Sequence, residues 1–486
     1  MMSGADQDRE IQAVPPREDM IARLGQLCGP ANVLTGAEAE RYGRDWRGQY
    51  PSSPLAVVRP GSTGEVSDIL RLASQWQIPV IPQGGNSGLV GGTKADGGLI
   101  VSLERMNRIR AIDASGRTAA VDAGVIVEHL NTRLAELELR FPLAFGAQGS
   151  AMIGGVLSTN AGGANVLAHG MTRALCLGLE VVMPDGRVLD DMVALRKNNT
   201  GYDLKQLFIG AEGTLGIITG AVLTLTDLPA GRATALLAVN GFDEGLAVLN
   251  RLRRVAGNAI EAFEVMPARY LAQLRRSSAP VVPPFASDPA LAILVELASS
   301  APDDCAPRAD GGVPLVNCLT DVLGDCIEDG LIGDALVAQT EGQRAGFWRL
   351  REIAPELTIG LTPVVAADVS VPLDRIGDFA EALDTALGEA DADAPHWTVG
   401  HLGDGNLHVV VCPADKSPAH LGRIRAVIDD VTMRHAGSFS AEHGIGLQKL
   451  ASMSRHKDPL ALELMRRIKD ALDPLGIMNP GKVVPL

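Results

Sequence analysis

Pro82-Gln83-Gly84-Gly85-Asn86-Ser87-Gly88-Leu89-Val90-Gly91-Gly92-Thr93 is the stretch on which the fold turns, with five glycines in twelve positions. It ends a β-α-β pattern. Residues 55–59 read as a strand closed by Pro60-Gly61, and 63–76 carry Val66, Ile69, Leu70 and Ala73 at helical spacing behind Thr63 as cap. Residues 78–81 read as a second strand running into the loop. A glycine loop at the end of a strand leaves backbone N–H groups open to an anion, because no side chain blocks the approach. Asn86, Ser87 and Thr93 add polar contacts, and a pyrophosphate is the natural guest. The block lacks G-x-x-x-x-G-K-[ST] and G-x-G-x-x-G, which disfavours a phosphoryl-transfer P-loop and a Rossmann unit.

Outward from the loop, strands are expected at 99–103, 108–112 and 119–123 and a helix at 127–137. A second glycine block runs from 146 to 163 and contains Ser158-Thr159-Asn160-Ala161-Gly162-Gly163. Pro184-Asp185-Gly186 between apolar runs predicts a hairpin. A third block, Gly210-Ala211-Glu212-Gly213-Thr214-Leu215-Gly216, precedes an apolar alternating run over 217–225. One glycine run alone reads equally well as a tight turn in a β-rich domain. Three in one domain point to a large phosphate-bearing cofactor.

Near Pro229 the texture changes. From 233 to 412 strand-like runs (236–239, 291–297, 364–371, 408–412) alternate with helical ones (244–255, 342–357, 375–387), and the tail from 421 is helix-rich. The chain thus divides into an N-terminal segment (1–50, with a short amphipathic helix near 19–28), a glycine-rich domain suited to the cofactor (51–229), an α+β domain (230–420) and a C-terminal segment (421–486). At 486 residues several domains are expected.

Composition narrows the function. A net charge of −15 disfavours nucleic acid or an anionic membrane as partner, and 3% aromatics argue against a base-stacking face. Six scattered cysteines without a CxxC pair fit a reduced compartment rather than a disulfide or thiolate-zinc framework. The first twenty residues hold Asp6, Asp8, Glu10, Glu18 and Asp19 and lack an apolar core, unlike a secretory or transit peptide. No apolar run reaches membrane-spanning length, so a cytoplasmic protein is expected.

Chemistry concentrates in His401-Leu402-Gly403-Asp404-Gly405-Asn406-Leu407-His408 and Glu442-His443-Gly444-Ile445-Gly446. Two imidazoles, a carboxylate and a further histidine are the parts that hold a divalent metal and move a proton beside it. His408 opens an apolar strand, and the intervening turn folds His401 back toward it. Taken alone, such a pair is more often a surface turn with solvated histidines than a metal site. With Glu442 it makes an N/N/O set that suits zinc, with manganese or iron also open. Arg349 and Arg351 sit in a helical Phe347-Trp348-Arg349-Leu350-Arg351-Glu352, and a guanidinium suits a two-pronged grip on a carboxylate.

Five segments in order resemble the flavin-dependent D-2-hydroxy acid dehydrogenases: 82–88, 153–163, 199–218, 401–408 and 440–446. The likeness runs from about Leu55 to Lys482. That family belongs to the vanillyl-alcohol oxidase / p-cresol methylhydroxylase superfamily, and the branch resembled holds D-2-hydroxyglutarate and D-lactate dehydrogenases. The resemblance implies a two-subdomain FAD-binding fold of the p-cresol methylhydroxylase type, an α+β cap domain and a helical C-terminal segment that returns to the cofactor. It implies FAD with its pyrophosphate on the loop Pro82, Gln83, Gly84, Gly85, Asn86, Ser87 and Gly88. Ser150, Gly154, Gly155, Thr159, Asn160 and Gly162 would line the cofactor. Glu212, Gly213 and Ile218 would lie near its adenosine or flavin edge, and Asn479 would reach it from the tail. Asn86 and Ser87 stand where some relatives tether FAD to a histidine, so the flavin is expected to be non-covalent.

By the same resemblance, His401, His408 and Glu442 hold a divalent metal, expected to be zinc. His443 accepts the hydroxyl proton, Arg351 anchors the substrate carboxylate, and Asn406 orients substrate or metal. Arg349 fits an ordinary surface arginine. Enzymes selective for 2-hydroxyglutarate carry a Thr and a Lys where this chain has Pro355 and Ala366. Two polar contacts to a distal carboxylate are therefore missing, which favours a smaller or apolar substrate side chain while leaving D-lactate and hydroxyglutarate open. The expected partners are a D-2-hydroxy acid, an electron acceptor (quinone, electron-transfer flavoprotein or cytochrome) and a second copy in a homodimer. Two rivals remain at this point: a zinc hydrolase using the His/His/Glu set, and a non-catalytic FAD electron-transfer subunit.

Overall fold

The computed structural model describes residues 15–277, 281–358 and 361–485; the first fourteen residues of the N-terminal segment lie outside the described residues. The amphipathic N-terminal stretch forms a helix, Arg17–Cys28, that buries Met20, Leu24 and Cys28. The first sheet has the strand order β1-β2-β4-β3, from β1 (Val33–Leu34), β2 (Ala56–Val58), β3 (Val80–Gln83) and β4 (Leu99–Ser102). Strands β2 and β3 both run parallel to β4, so a crossover must join them. That crossover is the helix Thr63–Trp76, whose expected apolar face of Val66, Ile69, Leu70 and Ala73 is wholly buried. Its cap is Ser62 rather than Thr63. Ser62 is the residue in extended conformation, and its Oγ accepts from Glu65 N–H, while Thr63 Oγ1 donates to Glu180 across to the next sheet.

A second, antiparallel sheet follows, in the order β5-β6-β10-β8-β9. Its strands are β5 (Ile109–Asp113), β6 (Thr118–Asp122), β8 (Cys176–Val182), β9 (Val188–Asp191) and β10 (Ile217–Thr224). The Pro184-Asp185-Gly186 turn closes the β8–β9 hairpin, with Val182 opposite Val188. A short ribbon pairs β7 (Leu139–Arg140) with β11 (Thr226–Asp227). Residues of the first two sheets, with the helices Thr63–Trp76, Val127–Ala135 and Ile153–Ser158, share one apolar core. The tail returns to it: Asn479 N–H donates to Val80 O, and Met478 bridges to Val80.

The remaining strands form one seven-stranded antiparallel sheet, β15-β12-β14-β13-β17-β18-β16. They are β12 (Gly231–Val239), β13 (Ile260–Pro267), β14 (Leu291–Ser299), β15 (Ile332–Val337), β16 (Val365–Ser370), β17 (His396–His401) and β18 (Asn406–Val411). Alternation along each strand sends one set of apolar side chains into a core with the helices Phe242–Ala256, Pro314–Glu328, Ile376–Ala390 and Pro418–Arg434. The opposite face carries a second core with the helices Ala268–Arg276 and Glu341–Glu352, and it is this face that bears the polar residues of the site. Strands β13, β15 and β17 are not among the expected elements. Of these, β13 places Glu261 and Glu264 in the interior, two buried acids in an otherwise apolar strand. Among the described residues no helix is long and apolar enough to cross a membrane.

Candidate active site

A single cavity of about 1290 Å³ runs from the glycine loops to the polar face of the seven-stranded sheet. That exceeds the usual range of small-ligand pockets, as a dinucleotide plus a second ligand would require. The expected loop residues Pro82, Gln83, Gly84, Gly85, Asn86, Ser87 and Gly88 line it, as do Ser150, Gly154, Gly155, Thr159, Gly162, Glu212, Gly213 and Ile218.

The backbone explains the glycines. A side chain on Gly85 would bring Cβ to 1.8 Å from Ser150 O, so the first loop can lie against the second block only as glycine. Gly88, Gly146 and Gly155 differ: each lines the cavity, yet a Cβ there would meet no protein atom within 4 Å. No neighbouring part of the protein requires glycine at these three places, and the space a side chain would take stays open to a ligand. This fits a cofactor with backbone-cradled phosphates. Gly155 lies inside the helix Ile153–Ser158, where alanine is the better helix former by about 1 kcal/mol. Gly155→Ala is therefore expected to melt no lower than the parent while binding FAD at least tenfold more weakly, read from bound-flavin absorbance and thermal melting on one preparation.

Two expected cofactor contacts fall elsewhere. Asn160 does not line the cavity, because its Oδ1 accepts from Arg173 N–H at 2.9 Å and holds the turn behind the second block. Asn479 also stands behind the loops, donating from Nδ2 to Gly92 O (3.0 Å) and Glu212 O (2.7 Å), so it ties the tail to two glycine blocks. Glu212 lines the cavity, but its carboxylate clamps a second loop by accepting from Ile445 N–H (2.7 Å) and Gly446 N–H (2.9 Å). Gly444 passes Glu212 with φ +80° and could not carry a Cβ without meeting Glu212 Oε1 at 2.6 Å. The first loop carries no histidine: Asn86 Nδ2 donates to Arg44 O and its Oδ1 accepts from Thr93.

The hairpin β17–β18 brings the two histidines together. His401 pairs with Asn406 and Val399 with His408, so the imidazoles meet edge to face with centroids 5.6 Å apart. His401 Nδ1 hydrogen-bonds Glu264 at 2.7 Å, which leaves Nε2 directed toward Glu442, 3.9 Å from its Oε1. Ligand atoms of His401, His408 and Glu442 lie within 4.8 Å of one another. Asp368, His408 and His443 form an overlapping group, but Asp368 Oδ2 is already occupied by the N–H groups of Glu442 (2.8 Å) and His443 (2.9 Å). The first set therefore has the freer donors. It has the N/N/O chemistry of a divalent-metal site, and Glu264 behind His401 is the carboxylate that such ligand histidines commonly have.

Electrostatics agree with a site built for charge. Burial opposes protonation of His401, yet Glu264 outweighs it and pushes the imidazole up to about 9. Burial, reinforced by Asp368 and Asp404, pushes the Glu442 carboxyl up to about 7 against the pull of His401. Burial also drives His408 well below its ordinary value and lowers His443, so His443 is held as the neutral imidazole. For Asp368, burial is outweighed by His443, Lys449 and His408, which hold its carboxyl well below the usual range.

Arg351 lies on the helix Glu341–Glu352, with Nε donating to Glu264 at 2.8 Å. One carboxylate thus fixes both Arg351 and His401, and the terminal guanidinium nitrogens take no hydrogen bond among the described residues. Arg349 is half exposed and closes on Glu356 at 2.9 and 3.0 Å. Asn406 does not face the cavity: its Nδ2 donates to Asp368 Oδ1 (3.0 Å) and Val369 O (2.8 Å). Its amide nitrogen thus supports Asp368, while its Oδ1 takes no hydrogen bond among the described residues. Sequence reasoning also missed Glu264, Lys449 and the role of Asp368, since single polar residues in apolar strands or a helical tail carry no local pattern.

Comparison with known proteins supplies the family. Residues 228–483 match the model for FAD linked oxidases, C-terminal domain, and residues 54–191 the model for an FAD binding domain. A probable mitochondrial D-2-hydroxyglutarate dehydrogenase of Oryza sativa subsp. japonica is 37% identical over 471 residues, 96% of this chain and 82% of that protein. A D-2-hydroxyglutarate dehydrogenase of Xanthomonas citri pv. viticola is 37% identical over 453 residues, 92% of this chain and 93% of that one. The crystal structure of p-cresol methylhydroxylase with substrate bound superposes with TM-score 0.71 over 96% of each chain, at 17% identity. The fold is thus the two-subdomain flavoprotein type with an α+β cap.

Proposed function

The chain belongs to the FAD-linked oxidase family and is 37% identical to D-2-hydroxyglutarate dehydrogenases over most of its length, and from that premise we propose that it oxidises a D-2-hydroxy acid to the 2-keto acid. One observation supports this reading above the others. A neutral half-buried histidine, a guanidinium with open terminal nitrogens and a convergent His/His/Glu set share one cavity with the glycine cradle.

Each side chain then has a task. Arg351 grips the C1 carboxylate, oriented by Glu264 so that the grip is fixed relative to His401. His443 takes the hydroxyl proton. Its Nδ1 lies 3.7 Å from Asp368 Oδ2, which leaves Nε2 as the accepting nitrogen, and the ionised Asp368 stabilises the imidazolium that results. His401, His408 and Glu442 would hold the divalent ion, which when bound stabilises negative charge on the substrate oxygens. FAD, when bound in the glycine cradle, supplies the oxidant that takes hydrogen from C2. A quinone, electron-transfer flavoprotein or cytochrome would receive the electrons. The glycine cradle speaks against a hydrolase, and the base and anchor against a flavin carrier without chemistry of its own.

The test is anaerobic flavin bleaching with paired D- and L-2-hydroxy acids after loading with zinc or manganese. D-acids alone are expected to bleach the flavin. Bleaching by L-acids alone, or by none, rejects the proposal.

A further inference from the structure

Strand register extends the site beyond the histidines. Opposite one another on β16, β18 and β17 stand Asp368, His408 and Val399, and the next inward-facing set along is Ala366, Val410 and Trp397. Two residues of strand separate the sets by roughly 7 Å, about the reach of a substrate's C2 substituent. Trp348 and Pro355, from the helix above and its end, close the same space. The row beside the substituent is thus built of indole, isopropyl, methyl and pyrrolidine groups, and the charged side chains around it are paired with one another.

Its cations are all engaged. Arg344 is held by Glu296 at 2.6 and 2.9 Å, with Trp348 Nε1 donating to the same carboxylate at 2.9 Å. Arg232 lies 3.5 Å from Glu296, and Arg349 is bound at two points to Glu356. Of the cations at this end of the cavity, Arg351 leaves both terminal nitrogens without a hydrogen bond among the described residues, enough for one carboxylate, while Lys449 stands against Asp368 at the histidine end. A second carboxylate on the substrate would enter an apolar space with no free cation and with Glu296 nearby. Burying such an unpaired charge is strongly disfavoured.

We infer that the substrate is a monocarboxylate: a D-2-hydroxy acid whose C2 substituent is a bulky uncharged group, branched aliphatic or aromatic. This rests on the proposed oxidation, and the experiment separates the two. The FAD- and metal-loaded enzyme is mixed anaerobically with D-2-hydroxy-4-methylpentanoate, D-3-phenyllactate, D-lactate and D-2-hydroxyglutarate, and the efficiency of flavin bleaching is compared. One of the first two is expected to exceed hydroxyglutarate by about 100-fold or more and lactate by at least about tenfold, the discrimination apolar contacts supply. Ala366→Lys, which sets an unpaired ammonium in the apolar row, is expected to raise hydroxyglutarate at least tenfold and lower the apolar acids. D-lactate or D-2-hydroxyglutarate matching the bulky acids in the parent enzyme overturns this inference alone. Flavin that none of the four bleaches overturns the oxidation and the inference together.

Discussion

Replacing His443 with asparagine is expected to slow flavin reduction by about 10²- to 10⁴-fold, the contribution of a positioned proton acceptor, with FAD content unchanged. Three observations make this the largest functional effect. The ring is held, stacked on His408 with centroids 5.5 Å apart and planes 10° from parallel. Its backbone is held too, because His443 N–H donates to Asp368 at 2.9 Å. Burial keeps the imidazole neutral at neutral pH, the form that can accept a proton, while the nearby carboxylate favours the cation once formed. Asparagine preserves a polar side chain of similar reach but takes no proton. Stopped-flow reduction measures the rate, and the Kd of a non-reactive 2-keto acid measures binding. A fall in rate below tenfold, or a fall explained wholly by binding, would show that another group accepts the proton.

How far these roles could be read in advance depends on the range over which each signal acts. The β-α-β start was legible because Val66, Ile69, Leu70 and Ala73 repeat at helical spacing beside two short apolar runs. The histidine pair was legible because the six residues between them, two of them glycines, make a hairpin, and hairpins are local. Glu264 was not, since it meets His401 across 137 residues and Arg351 across 87, and nothing within β13 distinguishes a site acid from an edge residue. Asn406 lies in the most conspicuous motif of the chain, yet its amide turns to Asp368, 38 residues earlier. Sequence thus identified the cavity-lining loops, whereas Glu264 and Asp368, which orient the histidines, came only from the register of the seven-stranded sheet.

Asp368→Asn is expected to destabilise the protein by about 3–5 kcal/mol and to lower metal affinity by about 10- to 100-fold. The carboxylate is 1% exposed and fully employed. Oδ2 accepts from two backbone N–H groups and Oδ1 from Asn406 Nδ2, with His408 Nδ1 at 3.6 Å and Lys449 Nζ at 3.7 Å. Asparagine offers one acceptor where two are needed, so whichever way the amide turns, a buried donor faces another donor. The charge matters as much. Lys449 is 2% exposed and its Nζ has no hydrogen-bond partner, so without Asp368 it becomes an uncompensated buried cation. If that is the source of the loss, Lys449→Met should hurt Asp368→Asn less than it hurts the parent, with a coupling of about 0.5–3 kcal/mol in denaturant unfolding. Metal content should remain low in the double variant, because Glu442 and His443 still lack the carboxylate that fixes their backbone. Strict additivity would mean that the backbone contacts alone give Asp368 its weight. Unchanged stability and metal content in Asp368→Asn would remove it from the architecture of the site altogether.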